Sequence, residues 1–212
     1  MNPIAQTHRP QKTFYLFITL AILGLLLSAV HPHDYFTWWL EVFPGIIALI
    51  IIITTRNSFP LSGLLYLLIL IHCYILFIGG HYTYAKVPLF DTIRDIFHQQ
   101  RNNYDKVGHF IQGFVPCIAA REILIRKKVL NKPGWIPFIC VSICLAISAF
   151  YELIEAFVAI TTGDSAEAFL GTQGDVWDTQ SDMMFALIGA IVAILVLSRI
   201  HNKSMKNIIQ LK

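Results

Sequence analysis

Six long apolar stretches restrict this chain to a membrane fold. Each is close to the ~20 residues that an α-helix needs to cross a bilayer. Charged residues make up only 14% of the 212 residues, whereas a soluble domain has ~25%. We therefore predict an all-α, polytopic membrane protein, a six-transmembrane-helix bundle in which residues 1–212 form a single transmembrane domain. The predicted spans are Phe14–Val30, Phe36–Thr55, Leu61–Ile78, Val107–Ile125, Ile136–Ile160 and Asp182–Leu197.

The first stretch has an alternative interpretation as a cleaved signal peptide. Arg9 and Lys12 precede it, as basic residues precede the apolar core of such peptides. No small-x-small cleavage site ends it, and "HPHDYF" follows directly. We expect a retained helix.

The basic residues predict the orientation of the spans. With both termini inside, the outer side keeps only Lys86, Arg94, Arg101 and Lys106. Cytoplasmic loops are enriched in Lys and Arg, so this orientation is strongly favoured. The other 12 of the 16 basic residues then lie inside: Arg9, Lys12, Arg56, Arg121, Arg126, Lys127, Lys128, Lys132, Arg199, Lys203, Lys206 and Lys212.

The longest connection, between spans three and four, runs about 28 residues from Gly79 to Lys106 on the outer side. Within it, Phe90, Ile93 and Phe97 share one helical face, and charged residues share another. This pattern predicts a short interfacial helix. An ordinary surface helix in a loop explains it equally well.

Polar residues lie near the outer ends of three predicted spans, the fourth, fifth and sixth. Asp105, His109 and Gln112 lie at i, i+4 and i+7 on the fourth span, which is one stripe of a helix. Glu152 and Glu155 share a face of the fifth span, with Glu152 about 8 residues, or ~12 Å, from its outer end. A carboxylate at such depth is costly, by ~2.5–3.5 kcal/mol at a helix centre, and indicates a functional site.

The loop before span six and the entry to that span add Asp175, Asp178 and Asp182, with no Lys or Arg nearby in the sequence. Their partner is then expected to be a histidine, a metal ion or a cationic part of a ligand. We predict one outward-facing pocket in which His109, Glu152 and Glu155 are catalytic acid–base groups. The metal or ligand-binding residues would be Asp105, Asp178 and Asp182, with Gln112, Asp175 and Tyr151 in support.

Structural roles are the alternatives for the same residues. Asp178 can cap span six, with Asp182 in its favourable first turn. His109 can bond a backbone carbonyl. At the inner end of span four, an ion pair or snorkelling explains Arg121 and Glu122. The sequence contains no G-x-S-x-G, Walker or H-E-x-x-H motif.

Five segments carry a resemblance to a known family: "GGHYTYAKVP", "RNNYDKVGHFIQGFVP", "AREIL", "FYELIEAF" and "FLGTQGDVWDTQSDM". They resemble the YjdF family of bacterial inner-membrane proteins, whose function is not established. The resemblance covers nearly the whole chain. It implies a bacterial inner-membrane, multi-pass protein with six helices, and no particular activity.

A more distant likeness is to the VanZ-like membrane proteins, known for teicoplanin resistance. Their D-K-x-x-H-F pattern is similar to the segment from Asp105 to Phe110, and their Y-E-x-x-Q pattern to Tyr151–Glu155, with Glu155 in place of glutamine. Their D-x-x-x-N before a glycine-rich helix resembles Asp178 and Asp182, with aspartate in place of asparagine.

Two functions from different classes follow. The first is a membrane enzyme or binding factor that acts on a lipid or lipid-linked envelope precursor at the outer leaflet. The second is a non-catalytic protein whose carboxylates hold a cation or proton for binding or transport. The inner halves of the spans are almost wholly apolar, which favours a one-sided site. The expected partners are the lipid bilayer and a lipid-linked molecule, not nucleic acid, and a divalent metal is the candidate cofactor.

Overall fold

The computed structural model of the protein describes residues 11–163 and 172–209. This part of the chain forms seven α-helices, joined in two places by a turn of 3₁₀-helix, and contains no strand. The 3₁₀ turns are Tyr84–Lys86 and Pro133–Trp135. The helices are α1 (Gln11–Ser28), α2 (Tyr35–Thr55), α3 (Gly63–Tyr82), α4 (Pro88–Ile96), α5 (Tyr104–Arg126), α6 (Ile136–Thr162) and α7 (Asp178–Ile209).

Four of these helices are long and apolar enough to cross a membrane, so the predicted all-helical class is confirmed and the predicted membrane location is consistent with the structure. The four apolar segments are Tyr35–Thr55 in α2, Gly63–Tyr82 in α3, Pro133–Thr162, which joins the second 3₁₀ turn to α6, and Asp178–Lys206 in α7. The apolar part of α1, Lys12–Ser28, is shorter. The apolar character of α5 is interrupted because acidic and basic residues occupy both of its ends. Large apolar side chains such as those of Phe138, Phe157 and Leu195 face outwards, as expected for a surface in lipid.

The helices form two groups that meet through α3 and α5. In the first group α1 and α2 both pack on α3, and in the second α5, α6 and α7 pack on one another. A buried cluster that includes Leu65, Ile118 and Cys144 joins the two groups. The groups leave a cavity between them on the side of α2 and α6, where the candidate site lies.

Two glycines let α5 and α7 run side by side in the same direction. A Cβ added at Gly113 would lie 1.8 Å from the carbonyl oxygen of Ala186, and one at Gly189 would lie 2.0 Å from that of Phe110. Small residues commonly allow such backbone contact between membrane helices. The parallel arrangement places the start of α5 beside the start of α7, and this brings their polar residues together.

The short helix in the outer loop is present as α4, Pro88–Ile96. Arg94 pairs with Asp91 at 2.8 Å and with Asp95 at 2.9 Å on its polar face. Phe97, which follows the helix, is 69% exposed. The helix itself is thus confirmed, and its location in the membrane interface stays a prediction.

A second buried polar network lies at the opposite end of α5. Glu122, with no exposed surface, accepts from Arg126 at 2.6 Å and from the backbone N–H of Ser62 at 2.9 Å. Its other oxygen lies 2.9 Å from Nε2 of His201. Glu122 therefore pairs with Arg126, and not with the adjacent Arg121. Neighbouring helical residues point about 100° apart, and Arg121 extends towards α7 instead.

Candidate functional site

A lysine neutralises the aspartates at the start of α7. The Nζ atom of Lys106 lies 2.8 Å from Oδ1 of Asp178 and 2.7 Å from Oδ1 of Asp182, and it donates to the hydroxyl of Ser181 at 2.5 Å. The expectation that these acids have no basic partner is therefore wrong. Lys106 precedes them by 72 and 76 residues, and only the packing of α5 beside α7 makes it their neighbour.

Arg101, just before α5, is the second basic partner. Its guanidinium contacts the carboxylate of Asp178 and lies 3.4 Å from Oδ2 of Asp175 and 3.6 Å from Oδ2 of Asp105. It also donates to the carbonyl of Thr172 at 3.2 Å. Arg101 thus joins the loop before α7 to the start of α5. Sequence reasoning missed both bases because it considered charges near in sequence only.

His109 lies at the centre of these acids. Its Nε2 atom is 3.4 Å from Oδ1 of Asp105 and 3.8 Å from Oδ2 of Asp182, and its Nδ1 atom is 3.0 Å from Oε1 of Gln112. The side chain is 7% exposed. These neighbours are side chains, so His109 does not take the alternative role of bonding a backbone carbonyl. The carboxylate of Asp178 contacts the basic side chains of Arg101 and Lys106, so its role is not limited to capping the start of α7.

Glu152 approaches His109 from α6. Its Oε1 atom lies 3.9 Å from Nδ1 of His109, and it is buried with no hydrogen-bond partner in the described part of the chain. A buried polar atom without a partner costs about 1–3 kcal/mol. The structure therefore brings the predicted residues of all three helices together, and leaves one carboxylate oxygen facing no donor.

A cavity of about 300 Å³ lies beside His109, between α2, α3, α5 and α6. Glu155 and Tyr151 of α6 line it near the predicted outer end, as do Asp105 and Gln112 of α5. Apart from His72, the deeper lining is apolar. That deeper lining includes Ala48, Ile69, Val115, Ala119 and Ile147. The cavity is thus polar at one end and apolar along the rest.

Glu41 and Tyr84 are among the cavity residues that were not predicted as site residues. Glu41 of α2 lines it and is 6% exposed. Tyr84 lines it too, with its ring between the backbones of α3 and α5, where Cβ atoms at Gly79 and Gly108 would lie 2.1 Å and 2.6 Å from it. A signal for Glu41 was available, because it is a carboxylate inside a predicted span. No local signal marks Tyr84.

Of the supporting residues, Asp175 lies at the edge of the site. Its side chain is 34% exposed, and its Oδ1 atom accepts from the backbone N–H of Trp177 at 2.9 Å. Asp175 therefore shapes the loop before α7, and its carboxylate contacts Arg101 at the edge of the site.

Among the residues that the structure describes, two groups of side chains have donor atoms close enough to share a metal ion. One is Asp105, His109 and Asp182, and the other is His109, Glu152 and Glu155, with the donor atoms of each group within 4.8 Å of one another. Lys106 lies beside the first group and repels a cation from it. The second group has no lysine or arginine within ion-pair distance in the described residues, so it is the better candidate.

Comparison with known proteins decides the family. Residues 13–203 match the model of a family described as predicted membrane protein (DUF2238). The chain belongs to this family. The inner membrane protein YjdF of Escherichia coli (strain K12) is 45% identical to it over 189 residues, which cover 89% of this chain and 90% of YjdF. No solved structure matches the chain.

Membership in the DUF2238 family and the similarity to YjdF identify the chain as a multi-pass inner-membrane protein. The resemblance to the YjdF family predicted from its motifs is thereby confirmed. Neither match bears on the likeness to VanZ-like proteins, which stays a prediction. The matches assign no activity to any residue of the site.

Proposed function

We propose that this protein binds a lipid or lipid-linked envelope precursor in the cavity beside His109 and acts on it at the outer side of the membrane. The observation that carries the proposal is the shape of the lining. The cavity has a volume of about 300 Å³. Carboxylates and an imidazole lie at one end of it, and apolar side chains line the rest. Such a lining suits an amphiphile, whose chain lies along the apolar wall and whose polar group meets the acids.

The charges of the site indicate the polar group that it accepts. Lys106 and Arg101 are occupied by the aspartates around Asp178. The glutamates that remain, Glu41, Glu152 and Glu155, have only His109 as a nearby base among the described residues. A ligand that is cationic or rich in hydrogen-bond donors compensates them best, because burial of unpaired carboxylates is costly.

The outward orientation rests on the predicted topology of six spans within a single domain. Helices α1 and α5 are counted as spans because each packs along α3, an apolar helix of 20 residues. With the basic residues of the other end inside the cell, the site opens towards the periplasm and both termini are cytoplasmic.

In the reaction, His109 and one of Glu152 and Glu155 serve as the acid–base pair. His109 stands between the aspartates on its Nε2 side and Gln112 and Glu152 on its Nδ1 side. The oxygen of Glu152 without a hydrogen-bond partner is placed to accept a proton.

Native mass spectrometry with lipidomics on the purified protein tests the proposal. We expect the wild type to retain an amphiphile that Ala48→Phe excludes, because Ala48 lines the apolar part of the cavity. The matched control is Ile51→Phe on the same helix, where the side chain is 54% exposed and does not line the cavity. Equal retention by both variants contradicts the proposal.

Cation binding is the second candidate, and the unpartnered oxygen of Glu152 favours it. A metal held by His109, Glu152 and Glu155 would satisfy that oxygen. Elemental analysis of protein purified without chelator distinguishes the two functions. A stoichiometric divalent metal that Glu155→Gln removes, with no retained amphiphile, would replace the first proposal by this one.

A further inference from the structure

A second cavity, of about 540 Å³, lies at the opposite end of α5 from the carboxylate site. It is enclosed by the ends of α5 and α7, the start of α6 and the connection between α5 and α6. Its polar lining is basic or neutral and contains no carboxylate in the described part of the chain. The polar lining residues are Arg121, Lys128, Asn131, Ser198 and Asn202.

Arg121 is a buried cation without an acidic partner. The residue is 8% exposed, and no carboxylate of the described residues lies within ion-pair distance of its guanidinium. One nitrogen lies 2.9 Å from Nδ1 of His201, and another donates to Oδ1 of Asn202 at 2.8 Å. Both partners are neutral acceptors in this arrangement, because arginine can only donate. They orient the guanidinium and leave its charge unbalanced.

The nearest acid is not available to balance that charge. Glu122 accepts from Arg126 and from Ser62 with one oxygen, and its other oxygen lies 2.9 Å from Nε2 of His201. His201 therefore donates to Glu122 through Nε2 and accepts from Arg121 through Nδ1. The histidine stands between the two charges as a neutral spacer, and Glu122 is compensated by Arg126.

Two further features attract an anion to the same cavity. Lys128, in a left-handed backbone conformation with φ of 51°, lines it immediately after the end of α5. Ile136 and Pro137 of the first turn of α6 also line it, and the N-terminus of a helix favours negative charge. The apolar neighbours Leu124, Leu130 and Ile136 provide the surface that the rest of an amphiphile would contact.

We propose that this cavity binds a phosphate-bearing anion, held by Arg121 and Lys128 against the start of α6. The phosphate can belong to an anionic phospholipid of the adjacent leaflet or to a soluble molecule. Basic pockets between the ends of membrane helices are typical headgroup sites. This site is separate from the carboxylate site and does not depend on the function proposed for it.

Adjacent lysines provide a matched pair of variants for the test. Lys128→Gln removes a charge that lines the cavity, whereas Lys127→Gln removes one that lies over the ring of Phe59 and not in the cavity. The full-length protein in detergent is incubated with phosphatidylglycerol or phosphatidylcholine, and the bound lipid is counted by native mass spectrometry. We expect Lys128→Gln to weaken phosphatidylglycerol binding about fivefold, and Lys127→Gln to leave it unchanged.

Arg121→Met is expected to weaken binding further, and its melting temperature without lipid shows whether it folds. If it does not fold, the lysine pair alone carries the test. Competition with inorganic phosphate distinguishes the sources: displacement of phosphatidylglycerol by phosphate supports a soluble ligand, and resistance to it supports the lipid. Equal binding by the wild type, Lys128→Gln and Lys127→Gln, or no preference for phosphatidylglycerol over phosphatidylcholine together with no phosphate binding, overturns the proposal.

Discussion

The Nζ atom of Lys106 lies 2.7 Å from Oδ1 of Asp182 and 2.8 Å from Oδ1 of Asp178. This one side chain, at the start of α5, joins the two aspartates at the start of α7. The start of α5 and the start of α7 are thus joined by ion pairs, and the glutamates that line the cavity, Glu41 and Glu155, are the acids that a ligand can reach.

Removal of this lysine should destabilise the protein. Lys106→Met leaves two buried carboxylates without their shared base, and breaking a buried pair typically costs about 3–5 kcal/mol. Thermal unfolding in detergent measures the loss. Lys86→Met, at an exposed lysine that lies 2.9 Å from Nε2 of His33, is the control and should melt within a few degrees of the wild type. If both variants melt alike, the network does not hold the helix mouths together.

The contact between α5 and α7 should be intolerant of a single methyl group. Gly113→Ala places a Cβ 1.8 Å from the carbonyl oxygen of Ala186, so the helices must separate. Overpacking of this kind costs about 1–3 kcal/mol. Gly63→Ala, at a helix start where an added Cβ meets nothing within 4 Å, is the matched control. Equal expression and melting temperature of the two variants would contradict the close approach.

Glu152→Gln should fold at least as well as the wild type and lose function. The amide is nearly isosteric and cheaper to bury than a charge, and Oε1 of Glu152 has no hydrogen-bond donor to lose. Melting temperature and the phenotype of the gene are measured together for Glu152→Gln and His109→Gln. The control is Asp95→Asn, on the exposed face of α4. If Glu152→Gln is unstable, or is stable and fully active, Glu152 has a structural role and not a functional one.

Asp34, which caps the start of α2, should make the stability of the protein depend on pH. Its side chain accepts from the backbone N–H of Thr37 at 2.7 Å, and this hydrogen bond, ahead of the other causes, lowers its pKa below the ordinary value of 3.8. A lowered pKa in the folded state gives stability that is present above the ordinary pKa and is lost as pH falls through the lowered one.

Asp34→Ala should therefore cost about 1 kcal/mol at neutral pH, and the difference from the wild type should shrink in acid. Asp34→Asn is the control, since asparagine caps a helix without titrating in this range. Its advantage over Asp34→Ala should persist when the pH is lowered. Melting temperatures of the three proteins are measured across pH. If the difference between Asp34→Ala and the wild type does not change with pH, the ionised carboxylate of Asp34 does not cap α2.

The orientation of the bundle is tested by fusions of alkaline phosphatase, which is active only in the periplasm. A fusion after Gln210 should be inactive and one after Gly171 active. The reverse pattern would place the carboxylate site on the cytoplasmic side and remove the outer leaflet from the proposed function.

The helical membrane class and the polar stripes could be derived from the sequence because both are local properties. An apolar run of span length has few alternatives in a bilayer, and the spacing of Asp105, His109 and Gln112 fixes a common helix face. The short helix α4 was predicted for the same reason, from the amphipathic pattern of Phe90 and Ile93.

Only the tertiary structure decided which residues form ion pairs with the polar residues of those helix faces. Lys106 and Asp182 are 76 residues apart, and nothing in the chain between them indicates that these two side chains form an ion pair. That contact depends on the backbones meeting at Gly113 and Gly189, which are ordinary residues in a predicted span. The sequence by itself determined which residues are polar within the membrane; the packing of α5 on α7 determined which of them are neutralised, because ion pairing depends on distance in space and not along the chain.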